Sequence, residues 1–213
     1  MLHLLKRLPD AHALLERFLL PHVSADDLAR RPLGGVFPDI ARVHPEAFAE
    51  QEHAKALALV SASRKHIDSL VAHVNAAWPT RYSVVPPVGI LWVRAFDQHF
   101  TPTAVRRLVS ASAPANPSSP YVRGALEFGV VLALTFRTYV PDLEWSYEQP
   151  VFDSALYDRH TETRIHVFHW AIKKLSSYGV SDGYPQKVCA CHQWLRGEAA
   201  IQAAQRDLRA GEA

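Results

Sequence analysis

The stretch Tyr121–Val140, YVRGALEFGVVLALTFRTYV, limits the fold of this chain more than any other. Read as a helix, it is apolar nearly all the way round, and only Arg123, Glu127 and Arg137 interrupt it. Such a helix has to be covered on most of its sides, so it belongs between layers of other elements. Those interruptions also argue against a bilayer span, which needs about 20 largely uncharged residues. Gly124 and Gly129 each weaken the helix by about 1 kcal/mol relative to alanine, a cost that predicts close approach of a neighbouring backbone.

The residues after this helix change period. Leu143–Glu148 sets Leu143, Trp145 and Tyr147 against Glu144, Ser146 and Glu148, the alternation of a strand with one wet face. Val151–Tyr157 reads as a weaker strand. Thr163–Phe168 reads as a third, with Ile165 and Val167 on one side. Phe168–Ser177 returns to helical spacing and is closed by Gly179. Ser181-Asp182-Gly183 then marks a turn, and a final helix runs from Pro185 to about Leu208, interrupted at Gly197.

The first half reads as helical. Pro9 to Leu20 forms the first helix, with Leu15, Phe18 and Leu19 on one face and His12 beside them. Ser24 and Asp27 resemble a capping box, and Arg31–Gly35 with Phe37-Pro38 breaks regular structure. The longest helix spans Pro45 to Trp78, with Leu57, Val60, Ile67, Leu70, Val71, Val74 and Trp78 at three- and four-residue steps, and Pro79 stopping it. Tyr82–Val85 reads as a short extended piece confined by Pro86-Pro87. Val93, Phe96 and Phe100 mark another helix. Thr101-Pro102 supplies a cap and a first-turn proline for one reaching about Ser110.

These readings define an α+β protein, mostly helical, with a small antiparallel sheet of about three strands in the C-terminal half. At 213 residues with 48% hydrophobic content, the chain suits a single domain with a sizeable core. The loop SAPANPSSP, residues 112–120, subdivides it into a helical part, 1–111, and a helix–sheet–helix part, 121–213. The 23 basic and 21 acidic residues leave a formal net charge of +2, which gives no footprint for nucleic acid. The pairs Arg30-Arg31, Arg106-Arg107 and Lys173-Lys174 read as solvated faces. Cys189 and Cys191 are the only cysteines. They are poor disulfide partners at that spacing, so a reducing compartment fits best. Lys6, Arg7 and Asp10 break any signal-peptide core, and the expected location is the cytoplasm.

No phosphate-loop, dinucleotide or nucleophile-elbow motif occurs. His166, His169, Cys189, Cys191 and His192 make the one metal-like set. The C-x-C spacing is wrong for structural zinc, and a strand carries His166 while a helix carries His169, so neither metal nor cofactor is expected. Glu127 reads as the wet stripe of its helix, paired with Arg123. The rival reading is a carboxylate in a dry site, able to act as acid or base. Asp97 and His99 invite a triad reading, but a triad is defined by geometry and not by order. Trp145, Tyr147, Phe152, Tyr157, Phe168 and Trp170 form an aromatic-rich set whose default place is the core. Trp145, sharing a strand face with Leu143 and Tyr147, is expected there. Trp145 and Tyr147 are also the aromatic candidates for a partner contact. Lys173 and Lys174 are the charged candidates, since Ile172 and Leu175 beside them would face inward.

A glycine-containing apolar helix (Gly124 and Gly129), a strand centred on tryptophan (Leu143-Glu144-Trp145), a loop-strand and a helix with basic residues (Lys173-Lys174) follow in order. Together they resemble small bacterial domains of unknown function found near toxin and conflict loci, among which immunity and accessory proteins are suspected. The resemblance covers about a quarter of the chain. It implies an interaction role and transfers no catalytic residue. The expected function is therefore binding of another protein through a surface, as in an immunity or adaptor protein; a homo-oligomer is compatible with it. The rivals are a metal-dependent enzyme or effector using the C-terminal histidines and cysteines, and, third, a nucleic-acid binder.

Overall fold

The computed structural model describes residues 8–22, 50–84, 88–114, 116–148, 150–177, 179–180, 183–196 and 198–210, and the side chains at 22, 50–57, 59, 191–196 and 198–201 lie outside that description. Among the described residues the helices are α1 (Ala11–Phe18), α2 (Glu50–Arg81), α3 (Ile90–His99), α4 (Pro102–Ser110), α5 (Pro120–Tyr139), α6 (Val167–Lys174), α7 (Tyr184–Arg196) and α8 (Glu198–Ala210). The strands are β1 (Glu144–Ser146), β2 (Ala155–Asp158) and β3 (Thr163–Ile165). The protein is α+β and mostly helical, with its antiparallel sheet in the C-terminal half.

The apolar helix α5 is the centre of the molecule. Helices α2, α3, α4, α6, α7 and α8 all contact it, and residues from Tyr121 to Phe136 are buried on every side of it. Aromatic rings fill the space between α5 and its neighbours. Phe96 stacks on Phe128 at 3.6 Å between centroids, and Trp78 stacks on Phe96 at 5.6 Å. Complete burial of one such side chain contributes about 1.5–3 kcal/mol, so this stack ties α2 and α3 to α5. One core runs from Leu8 to Ala204, and the 112–120 loop does not divide it. That loop is itself pinned: the Ser112 hydroxyl donates to the Leu108 carbonyl and accepts from the Tyr121 N–H, each at 2.8 Å.

The glycines of α5 serve different ends. A methyl group on Gly129 would overlap the Phe168 ring of α6, so this glycine admits an aromatic side chain where close backbone approach was expected. At Gly124 the nearest contact, Leu108 Cδ2, stands at an ordinary 3.4 Å, and no close approach depends on it.

The sheet runs β1-β2-β3, with Trp145 opposite Leu156 and Leu156 opposite Ile165. It is smaller than its pattern predicts. The second apolar run divides into a 3-10 turn, Val151–Asp153, and β2. Val167 and Phe168 join α6, because the chain turns helical at His166. In the first half, Asp10 caps α1 by accepting from Ala13 N at 2.8 Å, which places Leu14 and Phe18 inward and leaves Leu15 partly exposed. Thr101 and Pro102 open α4 as expected, and α4 ends at Ser110.

Pro79 does not stop α2, which continues to Arg81, with Tyr82 N still donating to Trp78 O at 3.0 Å. A proline removes its own N–H and crowds the carbonyl four residues back, and the helix outlasts Pro79 by two residues. Tyr82 and Ser83 then form a turn where an extended piece was expected, with Ser83 in the left-handed region at φ 53°. Val60 faces outward. The capping box at Ser24, the connector at 31–38, the start of the long helix at 45–49, Pro86-Pro87, Ser181-Asp182 and Gly197 lie outside the described residues.

Candidate functional site

Helix α1 packs on α6, and the Ser177 N–H donates to the Pro9 carbonyl at 3.0 Å, fixing the start of α1 against the end of α6. Between them lies an open groove of about 420 Å³. Ala11, Leu15 and Ile172 give it an apolar floor, Trp170 forms part of a wall, and His12, His166, His169 and Lys173 supply the polar atoms. Each arises from local structure. His166 is the N-cap of α6 and leaves that helix end without a side-chain cap. His169 and Lys173 follow at helical spacing on the same face.

The imidazoles are arranged in pairs. His166 and His169 stack at 5.2 Å between centroids; they converge because His166 caps the helix that carries His169, where a strand had been expected to hold it. His169 Nε2 lies 3.1 Å from Asp153 Oδ1, and His12 Nε2 lies 3.2 Å from Glu16 Oε1. Burial holds the His166 ring below the usual histidine range, and neighbouring His169 adds to the effect while Asp153 opposes it. His166 Nδ1 is buried with no hydrogen-bond partner among the described residues.

Lys173 is exposed and lines the groove. Lys174 is not on that face. It is 1% exposed and lies 2.5 Å from Asp97 Oδ1, donates to the Val180 carbonyl at 3.1 Å, and sits over the Tyr184 ring at 5.3 Å. The expectation of a second exposed cation fails because successive helical residues point about 100° apart. Trp145 is half-buried, stacked on Phe168 at 6.0 Å and on Tyr147 at 6.2 Å. Full burial was expected, but β1 lies at the sheet's edge and leaves part of the ring open. Tyr147 is also half-buried, with Arg64 of α2 5.9 Å above its ring.

Glu127 departs furthest from its sequence reading. It is 2% exposed, and its partners are on α2, not Arg123. Arg81 Nη1 donates to Oε2 at 3.2 Å. His73 Nε2 stands 3.2 Å from Oε1 but without hydrogen-bond alignment. Arg81 and His73 are each about half exposed, so a buried carboxylate meets two solvent-facing bases. Burial pushes the neighbouring Tyr82 phenol up to about 12, with the Arg81 charge pulling the other way. The sequence signal was there in the rival reading of a dry carboxylate; the partners, being far away in sequence, were not readable.

Asp97 and His99 do not form a triad. Asp97 is held by Lys174, and His99 packs edge-on against Tyr82 at 5.1 Å. Cys189 is buried beside Tyr139, with its thiol pushed up by burial, and the side chains of Cys191 and His192 lie outside the description. Among the described residues no three histidine, cysteine, aspartate or glutamate side chains converge to hold a metal ion, and no helix is long and apolar enough to cross a membrane.

Comparison with known protein families, curated proteins and solved structures finds no match.

Proposed function

We propose that this chain is a protein-binding protein of the bacterial cytoplasm, immunity- or adaptor-like, acting through the face built by α1 and α6. The observation that carries the reading is the groove itself: an apolar floor beside Trp170, rimmed by Lys173 and three imidazoles. Interfaces draw most of their energy from a few aromatic or cationic anchors set in a concave, desolvated patch, and this face has that composition. The resemblance of Gly124–Lys174 to domains near conflict loci points the same way. The test is site-specific crosslinking in the native host. A photo-crosslinking phenylalanine derivative replaces Lys173 in the groove or Arg107 on α4. The expected result is one discrete protein adduct from the groove position and none from α4. Binding of that purified partner should then weaken at least tenfold in Lys173→Glu, a rim change that acts on association rate and salt dependence. Equal labelling from both positions would end the proposal.

A second reading has one observation in its favour. His169 oriented by Asp153 in an open groove is the arrangement a general base needs. It predicts that Asp153→Asn abolishes biological activity while partner binding persists.

A further inference from the structure

Away from the α1–α6 groove, α2, α3 and α5 build a second polar cluster around the Glu127 carboxylate. Glu127 is buried on α5, and the two groups that meet it, His73 and Arg81 of α2, are each about half exposed. A buried ion pair is a weak source of stability, because desolvation offsets most of the attraction. What this pair does fix is direction. Arg81 Nη1 donates to Glu127 Oε2 at 3.2 Å, and the guanidinium lies over the Tyr82 ring at 5.5 Å. The planar head is thereby held from two sides, and its remaining N–H groups have no partner among the described residues. Two imidazoles flank it. His73 Nε2 stands 3.2 Å from Glu127 Oε1 without hydrogen-bond alignment, so its N–H is not committed there. His99 is exposed and packs edge-on against Tyr82 at 5.1 Å. Burial, and then the Arg81 charge, hold its ring below the usual histidine range. Glu127 balances Arg81, and the exposed Arg123, one turn earlier on α5, leaves this edge positive.

We propose that Arg81, His73 and His99 form a site for a phosphate monoester, with Glu127 as the positioning residue beneath it. A guanidinium edge pairs with two phosphate oxygens at once. The third terminal oxygen of the tetrahedron points out of that plane, where an imidazole N–H meets it. A planar carboxylate is satisfied by the guanidinium alone and gains nothing from the imidazoles. A monoester is favoured over the diester backbone of nucleic acid because it presents that third oxygen and carries about two negative charges near neutral pH. The nearly balanced charge of the chain also lacks the basic track that a nucleic-acid strand needs.

The site goes beyond the protein-binding reading and is tested separately from it. The probe is phenyl phosphate, titrated into the full chain at about pH 7.5, where the dianion dominates, and followed by phosphorus NMR. Acetate, dimethyl phosphate and a single-stranded RNA without terminal phosphates serve as competitors. Saturable binding of phenyl phosphate is expected, with each competitor about tenfold weaker. Arg81→Lys keeps the charge but loses the fork, and should weaken binding about tenfold. Removing the negative charge of Glu127 would by itself favour an anion, so two variants separate charge from positioning. Glu127→Gln keeps an acceptor for Arg81 and should retain affinity. Glu127→Met releases the guanidinium and should lose about tenfold, with circular dichroism confirming the fold. If Glu127→Met does not fold, the exposed double variant His73→Asn, His99→Asn decides, with an expected loss of about fivefold. No saturable binding, a competitor that displaces phenyl phosphate on equal terms, or undiminished affinity in Arg81→Lys or in the deciding variant overturns the inference. Lys173→Glu should leave phosphate affinity unchanged. A discrete adduct from Lys173 in a chain that binds no phosphate refutes this site and leaves the binding reading standing.

Discussion

Two buried charges decide what single residues do in this molecule, and they differ in kind. Lys174 is sealed in, so Asp97→Asn leaves an ammonium that keeps the Val180 carbonyl and the Tyr184 ring among its partners. Breaking a buried pair from one side costs about 3–5 kcal/mol. The surviving contacts place this variant at the lower end, about 3 kcal/mol in urea denaturation, and Lys174→Met should cost less because Asp97 can hydrate. Glu127 shows the reverse geometry, an inner carboxyl group with Arg81 and His73 outside it. Among the described residues, Arg81→Ala leaves the carboxylate dry beside a misaligned imidazole, whereas Glu127→Gln leaves a guanidinium and an imidazole that water reaches. Arg81→Ala should therefore destabilise more than Glu127→Gln. On the binding reading, Glu127→Gln should leave partner affinity unchanged, and loss of activity in that folded variant would count against it. None of these partners was legible in the sequence, because adjacent letters such as Lys173 and Lys174 give no sign of which one the helix turns inward.

At the scale of elements, several local patterns read correctly, while Pro79 and most readings that depend on neighbours did not. Thr101-Pro102 dictates a helix start through its own backbone and hydroxyl, and α4 begins there. The all-round apolar character of α5 dictated burial, and it is the central helix. The aromatic alternation at residues 143–148 gave a strand but not its edge position, which only the pairing order settles. Trp145→Ala should accordingly cost about 1–3 kcal/mol, less than the 3–5 of a fully buried aromatic, by chemical denaturation. The two glycines of α5 give a paired test. Gly129→Ala overpacks the Phe168 ring and should lose about 1–3 kcal/mol. Gly124→Ala meets only Leu108 at van der Waals distance and should gain up to about 1 kcal/mol from helix propensity. Equal effects at both positions would show that propensity, not the α5–α6 contact, governs this helix.

For the whole molecule, acid is the informative perturbation. Burial depresses His66, His99 and His166 in the folded state, with the Arg81 charge adding to the effect at His99. The unfolded chain therefore binds more protons once the pH drops below about 6.5. Stability from these groups is complete above that value and declines as the pH falls toward their folded-state values. Tm should fall steadily from pH 7 to 5, and His166→Gln should flatten the slope; a Tm that rises on acidification would contradict the assignment. The groove has walls far apart in the sequence, Ala11 to Leu15 facing His166 to Lys173. During synthesis the first wall leaves the ribosome long before the second exists. A partner that recognises this face is thereby blind to the nascent chain and to any product cut short before α6, and binds only molecules whose translation has run past it.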